Sequence, residues 1–286
     1  MPTFDSPAPI DVRLSFIHGD VRIIAAEIPE TVVEVRPRAD AEVDRRAVAQ
    51  TTVEFTGDRL EIRTPKPRRT FLQKITDTRD GGISVTIELP AGSSVRGVSG
   101  MGQVHGVGRL GDCRFRTGAG DIELEETGAL RAETGLGLIH VGQAAGPVEA
   151  TTARGEVRIG RVDGPATIRN MNGPTEIGEA TGDVRITGVN GDVTVGRALS
   201  GLAATTADGN LRIGEVRRGA VSLESAAGSI DLGVRDGTAA HLDVSSTVGS
   251  VRNALDGTDN AGTAELTVKV YARTKIGTID VRRSDP

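Results

Sequence analysis

The sequence has very few aromatic residues: no tryptophan, one tyrosine and five phenylalanines among 286 residues. Large rings usually supply much of the buried area of a globular core, so this chain must build its core from small and β-branched side chains. It also has a single cysteine, Cys113, which excludes an intramolecular disulfide. A buried thiol of this kind acts as a small hydrophobic group rather than a reactive one.

The chain also lacks a strong charge bias and a long apolar run. Its net charge is −5 with an isoelectric point near 5.5, which is not typical of proteins that bind DNA or acidic membranes, so no nucleic-acid partner is expected. No segment approaches the ~18 apolar residues of a membrane span. Residues 1–7 lack the basic and apolar regions of a secretory signal, so the expected location is the cytoplasm, with a surface location left open.

Glycine, in contrast, is abundant, with 38 residues against a usual ~7% of a chain. The glycines fall into columns with a period close to 18 residues, which indicates an internal repeat. The first column consists of Gly102, Gly120, Gly137, Gly155, Gly173, Gly191, Gly209, Gly228, Gly249 and Gly277. Two further columns of glycines follow the same period.

Each repeat contains two short strands separated by turns. Residues 148–152 and 156–159 alternate apolar and polar side chains, which is the period-two pattern of a strand, and glycine-containing corners follow both. The chain shows no apolar pattern with a helical period. The sequence therefore predicts an all-β, single-stranded parallel β-helix or β-solenoid of about ten coils, each of ~18 residues.

Four columns of small aliphatic residues are expected to point into the solenoid. Column one runs Leu130, Val148, Ala166, Val184, Leu202, Val221, Leu242, Val270. Column two runs Phe115, Ala132, Ala150, Ile168, Ile186, Ala204, Leu223, Val244, Ala272. Column three runs Val104, Ile122, Ile139, Val157, Thr175, Val193, Leu211, Ile230, Val251, Ile279. Column four runs Leu124, Val141, Ile159, Ile177, Val195, Ile213, Leu232, Val281.

A further column of short polar residues ends the first strand of each coil, where side-chain oxygens and amides can hydrogen-bond the corner backbone. Gly188 interrupts it. Its polar members are Thr117, Thr134, Thr152, Asn170, Thr206, Ser225, Ser246 and Thr274. An outward column of mixed charges is expected to be solvated and self-paired: His105, Glu123, His140, Arg158, Glu176, Thr194, Arg212, Asp231, Arg252, Asp280.

The first ninety residues contain strand patterns without the 18-residue period. Segments 10–16, 20–25, 31–36, 51–55, 60–63 and 83–89 alternate as strands do, and 39–49 is a short helix or a loop. Solenoids need atypical end units to cover an open sheet edge. We therefore expect residues 1–90 to form an N-terminal β-strand cap continuous with the solenoid repeats of residues 91–286.

Two interruptions of the repeat are candidate binding segments. Residues 64–82 form a basic loop whose candidate anion-binding residues are Lys66, Arg68, Arg69 and Lys74. Residues 254–263 are expected to fold over the last coil. Their Asp256, Asp259 and Asn260 lack the spacing of a calcium-binding hand. No metal, cofactor or catalytic constellation is expected.

The repeated Gly-Asp-Val-x-Ile units resemble the bacterial adhesin-like family of β-strand repeats, a domain family of unknown function. They occur at residues 182–186, 191–195 and 120–124, and an early copy lies at 19–23. The resemblance covers nearly the whole chain. It implies a β-solenoid with an adhesion or scaffold role and carries no catalytic residues.

The sequence therefore favours a non-enzymatic scaffold that binds an unknown macromolecule or a second copy of itself. Self-association is expected through an open last coil near residues 275–283. The alternative is a carbohydrate-active enzyme on a β-helix, which clustered carboxylates in a groove would favour.

Overall fold

The structure is a computed structural model that describes residues 1–65, 81–255 and 266–284. The chain forms two compact units, Met1–Gly137 and Leu138–Pro286. Within each unit, odd-numbered strands from β5 onward pair in one sheet and even-numbered strands in another, and we call these the odd sheet and the even sheet. The predicted all-β solenoid is confirmed.

The described residues of unit 1, 1–65 and 81–137, form one helix and eleven strands. They are β1 (Thr3–Asp5), β2 (Asp11–Ala26), β3 (Glu30–Pro37), α1 (Glu42–Gln50), β4 (Thr52–Thr56), β5 (Arg59–Arg63), β6 (Ile83–Pro90), β7 (Ser94–Met101), β8 (Val104–Arg109), β9 (Cys113–Ala119), β10 (Ile122–Thr127) and β11 (Leu130–Leu136). The segment left open as helix or loop is helical. The two strands expected over 10–16 and 20–25 are one continuous strand, β2.

Unit 2 consists of strands alone in its described residues. They are β12 (Ile139–Ala144), β13 (Val148–Arg154), β14 (Val157–Val162), β15 (Ala166–Asn172), β16 (Thr175–Ala180), β17 (Val184–Asn190), β18 (Val193–Ala198), β19 (Leu202–Asp208), β20 (Leu211–Val216), β21 (Gly219–Ala227), β22 (Ile230–Val234), β23 (Thr238–Val248), β24 (Val251–Asn253), β25 (Leu266–Ile276) and β26 (Ile279–Arg283). Each strand from β13 to β20 pairs in parallel with the strand one coil later.

The core of each unit is the lumen enclosed by the two sheets. Most of the predicted inward columns are buried, and Ile168, Ile159 and Phe115 are at most 1% exposed. Burial of each such apolar side chain contributes about 1.5–3 kcal/mol. Three predicted inward residues are not buried: Leu242 and Val244 are only half-buried and Val251 is 42% exposed. All three belong to β23 and β24.

Corner glycines are required by the close stacking of successive coils. Gly191 has a φ of +141°, and a Cβ there would lie 2.1 Å from the carbonyl oxygen of Gly173 one coil earlier. Only glycine tolerates both conditions. The polar column also forms as predicted, since Thr134 Oγ1 donates to Gly120 O at 3.0 Å and Thr274 Oγ1 donates to Gly228 O at 2.9 Å.

In unit 1 the first long strand in the sequence, β2, is not an outermost one. The first half of β2 lies between β5 and β7, and its second half lies between β6 and β8, with all four pairings parallel. Antiparallel strands then cover the outer coil, with β4 on β5 and β3 on β6. The boundary expected at residue 90 stays a prediction.

In unit 2 the last strands in the sequence are likewise not outermost. β25 pairs in parallel with both β21 and β23, and β26 pairs with both β22 and β24. The expectation of an open coil near residues 275–283 is therefore wrong. The outermost coil of the described residues is β23–β24, which also explains the exposure of Leu242, Val244 and Val251. The repeat pattern could not show this, because a strand has the same alternation whichever coil it pairs with.

Candidate functional site

The basic loop residues singled out from the sequence, Lys66, Arg68, Arg69 and Lys74, lie outside the described residues. The same holds for Asp256, Asp259 and Asn260. Anion binding by the four basic residues therefore stays a prediction, and so does the expectation that Asp256, Asp259 and Asn260 form no calcium site. Among the residues that the structure does describe, a row of arginines lies on the outer surface of the odd sheet in unit 1.

Four arginines on this surface occupy one register position on successive strands. Arg13 of β2 is paired with Arg96 of β7, Arg96 with Arg114 of β9, and Arg114 with Arg131 of β11. All four side chains are exposed, and the residues on either side of each in the strand point into the lumen or are less exposed. We call this set the arginine ladder. Neighbouring members are one strand spacing, ~4.8 Å, apart at the backbone.

Carboxylates reach the two ends of the ladder. Asp11 lies 3.5 Å from Arg13 Nε, and Glu133 Oε1 lies 3.0 Å from Arg131 Nε. The two central members, Arg96 and Arg114, form no ion pair or side-chain hydrogen bond with any part of the chain that the structure describes. Like charges directly opposite one another on neighbouring strands are destabilising, and no carboxylate of the described chain neutralises Arg96 or Arg114.

Beside the ladder, the next outward column carries Val98 and the ion pair of Arg116 and Glu133, and the column beyond it is bare backbone. Val98 is 57% exposed, and Met101 and Leu136 are 48% and 52% exposed. Between them runs a strip of three outward glycines, Gly100, Gly118 and Gly135. A Cβ at any of the three would approach the carbonyl oxygen of the preceding coil to 2.5–2.7 Å, so side chains are sterically excluded from this strip.

Unit 2 contains an open groove of about 570 Å³ on the outer surface of its odd sheet. Asp183 and Arg185 lie in its lining together with small residues of β15, β19 and β21. Ser200 Oγ donates to Asp183 Oδ1 at 2.6 Å and Gly201 N donates to the same oxygen at 3.0 Å, and these bonds hold the pKa of Asp183 below its usual value. The carboxylate is therefore ionised and already engaged, and it is the one acidic residue in the lining.

Cys113 is positioned as the sequence predicts, at an inward position of β9. It is 4% exposed, and burial raises the pKa of its thiol to about 11, with smaller opposing effects from hydrogen bonds to Thr127 and Val95. A thiol with this pKa is almost fully protonated at neutral pH and is a poor nucleophile.

The predicted self-pairing of the outward charge column is found at two places. His105 Nδ1 lies 3.3 Å from Glu123 Oε2 in unit 1, and Arg158 Nε lies 3.2 Å from Glu176 Oε2 in unit 2. Near the end of unit 2 the order differs from the sequence order, because Asp280 of β26 lies between Asp231 and Arg252.

Two further properties bear on function. In residues 1–65, 81–255 and 266–284, histidine, cysteine and acidic side chains form no group of three or more that could hold a metal ion. The helical part of the described chain is too short and too polar to cross a membrane.

The arginine ladder was missed from the sequence although a signal for it exists. Arg96, Arg114 and Arg131 recur at intervals of 18 and 17 residues, the period of the glycine columns. Arg13 could not have been added, because only the tertiary structure places β2 beside β7.

The fold is that of a parallel β-solenoid assembled from β-strand repeats, and it presents an exposed cationic surface. The chain belongs to the Toastrack DUF4097 family, which matches residues 11–285. This agrees with the family resemblance that the Gly-Asp-Val-x-Ile units carry.

Several solved bacterial structures are similar in fold alone. A "putative adhesin" of Bacteroides fragilis is 10% identical, with 98% of this chain and 95% of that chain covered and a TM-score of 0.36. A "putative lipid binding protein" of Parabacteroides distasonis is 10% identical, with 97% and 95% covered and a TM-score of 0.42. A "putative cell adhesion protein" of Clostridium sporogenes is 14% identical, with 99% and 98% covered and a TM-score of 0.21. Among curated proteins, none matches the chain.

Proposed function

We propose that this protein is a non-enzymatic β-solenoid scaffold with an adhesin-like binding role, and that its partner docks through negatively charged groups on the arginine ladder. The observation that carries the proposal is the unneutralised pair Arg96 and Arg114, which face each other on neighbouring strands. A row of like charges costs stability by itself and becomes favourable once anions bind between the guanidinium groups.

The proposal is supported by the local charge of the ladder and not by the net charge of the chain. The whole chain has a net charge of −5, so general electrostatic attraction of an anion is not expected. The ladder nevertheless concentrates four guanidinium groups on a rigid parallel sheet. Guanidinium groups bind carboxylate and phosphate with two parallel hydrogen bonds, and the sheet fixes the backbone positions from which the four side chains extend.

Retention on a cation-exchange matrix tests this proposal. An acidic protein should bind such a matrix at neutral pH only through a local basic surface. The double variant Arg96→Gln/Arg114→Gln should elute at clearly lower salt than the wild type.

The matched control is Arg169→Gln/Arg185→Gln on β15 and β17. These two arginines are exposed on the odd sheet of unit 2, have no ion-pair partner among the described residues, and are not directly opposite each other. Both double variants have the same net charge. If the control elutes as early as the ladder variant, net charge rather than the ladder governs retention and the proposal is wrong.

The non-enzymatic part of the proposal has its own test. A hydrolase or acyl-transferase activity of the purified protein that a single point substitution abolishes would contradict it. The carbohydrate-active alternative expects a pair of carboxylates in a groove, and Asp183, the acidic residue in the groove of unit 2, is hydrogen-bonded to Ser200 and Gly201.

Self-association and the cytoplasmic location stay predictions. Sedimentation over a range of concentrations tests the first, and the strand to alter is β23, the outermost strand of the odd sheet in the described part of unit 2. Cell fractionation with protease treatment of intact cells tests the second. Digestion by external protease would place the protein on the surface.

A further inference from the structure

The outermost strand of unit 2, β23, has a free edge that is complementary to itself. We propose that two copies of the chain associate by antiparallel pairing of β23 with β23 of the partner, about a twofold axis at Leu242. This pairing continues the odd sheet of unit 2 from one copy into the other. The proposal goes beyond the proposed function and does not depend on the arginine ladder.

β23 offers a long, regular edge for pairing. From Thr238 to Ser246 it pairs with β25 residue by residue without a bulge, and no strand of the described residues pairs with its other side. The backbone N–H and C=O groups on that side have no strand partner within the described chain. Such a row of groups is a template for an added strand.

Protective features of natural edge strands are missing from β23. Protected edges are short, contain proline or lysine, or carry a charge among their inward residues. β23 has eleven residues without proline, lysine or arginine, and its inward residues from Thr238 to Ser246 are uncharged. The outer coil of unit 1 is instead covered by the antiparallel strands β3 and β4, and β4 has only five residues.

The charged side chains of β23 select one register for the pairing. With the axis at Leu242, His241 lies opposite the partner's Asp243, and the symmetry forms this contact twice. His241 is also next to Lys269 of β25 in register, so the partner's carboxylate meets two basic side chains. An axis one residue later would place two copies of Asp243 directly opposite each other, which is destabilising.

The same register covers the apolar residues that the outermost coil leaves exposed. It places Leu242 opposite the partner's Leu242, and Ala240 opposite the partner's Val244. Leu242 and Val244 are only half-buried in one copy, whereas Leu202, the equivalent of Leu242 on a strand with neighbours on both sides, is 2% exposed. Burial of this apolar surface favours association in addition to the backbone hydrogen bonds.

Pairing of identical edges closes the assembly at two copies, because neither β23 is left for a third. Sedimentation velocity of the full-length protein over a wide range of concentrations tests this. A reversible equilibrium of monomer and dimer is expected, without larger species. A protein that stays monomeric, because another segment of the same chain covers β23, would overturn the proposal, and so would growth beyond the dimer.

Charge reversal tests the register. Asp243→Lys places a lysine opposite the partner's His241, and His241→Asp places an aspartate opposite the partner's Asp243. Each single variant should weaken dimerisation about tenfold, because two attractive contacts become repulsive. The double variant His241→Asp/Asp243→Lys should recover the affinity of the wild type, and an equimolar mixture of the two single variants should form mixed dimers.

Glu224→Lys is the matched control for Asp243→Lys. Glu224 is exposed on the same sheet, opposite Arg273 of β25, but its strand β21 has neighbours on both sides. The control has the same change in charge and should leave dimerisation unchanged, and thermal melting at low concentration checks that every variant folds. Equal weakening by the control, or a folded double variant that does not recover, would show that the register is wrong and overturn the proposal.

Amide hydrogen exchange at two protein concentrations locates the contact. At low concentration β23 is the outermost strand and should exchange rapidly. At a concentration that populates the dimer, its amides around Leu242 should exchange about tenfold or more slowly, while those of β25 stay unchanged. Concentration-dependent protection in other strands but not in β23 would place the interface elsewhere and contradict the proposal.

Discussion

The side-chain oxygen of Asn170 is buried without a hydrogen-bond partner one strand away from Gly188, the position at which the polar column is interrupted. Asn170 Nδ2 donates to the carbonyl oxygens of Gly155 and Gly173 at 3.1 and 3.0 Å, so only the oxygen is left unsatisfied. Gly188 does not have a positive φ, and a Cβ there would lie 3.5 Å from both Asn170 O and Thr206 Oγ1. The site therefore has room for a small side chain.

Gly188→Ser should stabilise the protein. The substitution removes the conformational freedom of glycine in a strand, about 0.5–1 kcal/mol, and places a hydroxyl opposite Asn170, where a hydrogen bond to the unsatisfied oxygen would add about 1 kcal/mol. The free energy of unfolding from urea titration should rise by about 1–2 kcal/mol. The matched control is Gly178→Ser in the same unit, where a Cβ would lie 2.4 Å from Gly160 O and stability should fall. If the two substitutions changed the free energy of unfolding equally, the inference that position 188 has room for a side chain and position 178 has none would be wrong.

Ile168→Asp should be strongly destabilising. Ile168 is fully buried in the lumen between Ala150 and Ile186, so the substitution places a carboxyl group among aliphatic side chains without a partner. The free energy of unfolding should fall by about 3 kcal/mol or more. Thr167→Asp, one residue earlier and pointing outward, is the control and should cost under about 1 kcal/mol. A small effect at Ile168 would mean that column two does not face the lumen.

The Cys113 thiol should be unreactive in the native state and should make stability depend on pH under alkaline conditions. Its pKa is raised from 9.0 to about 11, so the folded state holds the proton more tightly than the unfolded state. The resulting stabilisation, of order 2–3 kcal/mol, is fully present below pH 9 and is lost as the pH rises toward 11.

A chromogenic disulfide reagent at pH 8 should label native protein only as fast as it unfolds, and should label the denatured protein at once. Cys113→Ala should show a weaker loss of stability between pH 9 and 11 than the wild type, which separates the thiol from lysine and tyrosine titration. Rapid labelling of the native protein would show that β9 opens readily.

Amide hydrogen exchange should report the coil order of unit 2. The amides of β25 should exchange more slowly than those of β23, although β25 is closer to the C-terminus, because β25 is hydrogen-bonded on both sides and β23 is the outermost strand of the described residues. The difference should be greatest at the centres of the two strands, around Val270 and Leu242. Slower exchange in β23 than in β25 would restore the sequence order of the coils.

Much of the fold could be predicted from the repeat because each coil obeys the same local rules. Three patterns recur about every 18 residues. Alternating apolar residues such as Val157 and Ile159 specify the strands, and glycines such as Gly191 and polar residues such as Thr134 specify the corners. The candidate site could be predicted only in part. Arg96, Arg114 and Arg131 are visible as a column, but the absence of a carboxylate partner for Arg96 and Arg114 depends on side-chain placement.

The sequence by itself determined the class of fold, the residues that face the lumen and the nature of the core. These follow from strand alternation and from the steric demands of corners, which act over a few neighbouring residues. Only the tertiary structure decided which coil lies next to which. It placed β2 beside β7, which completes the arginine ladder with Arg13, and it placed β25 between β21 and β23. Pairing between distant strands is governed by the backbone hydrogen bonds and packing of whole coils, and a strand pattern of period two fits any neighbour in the stack equally well.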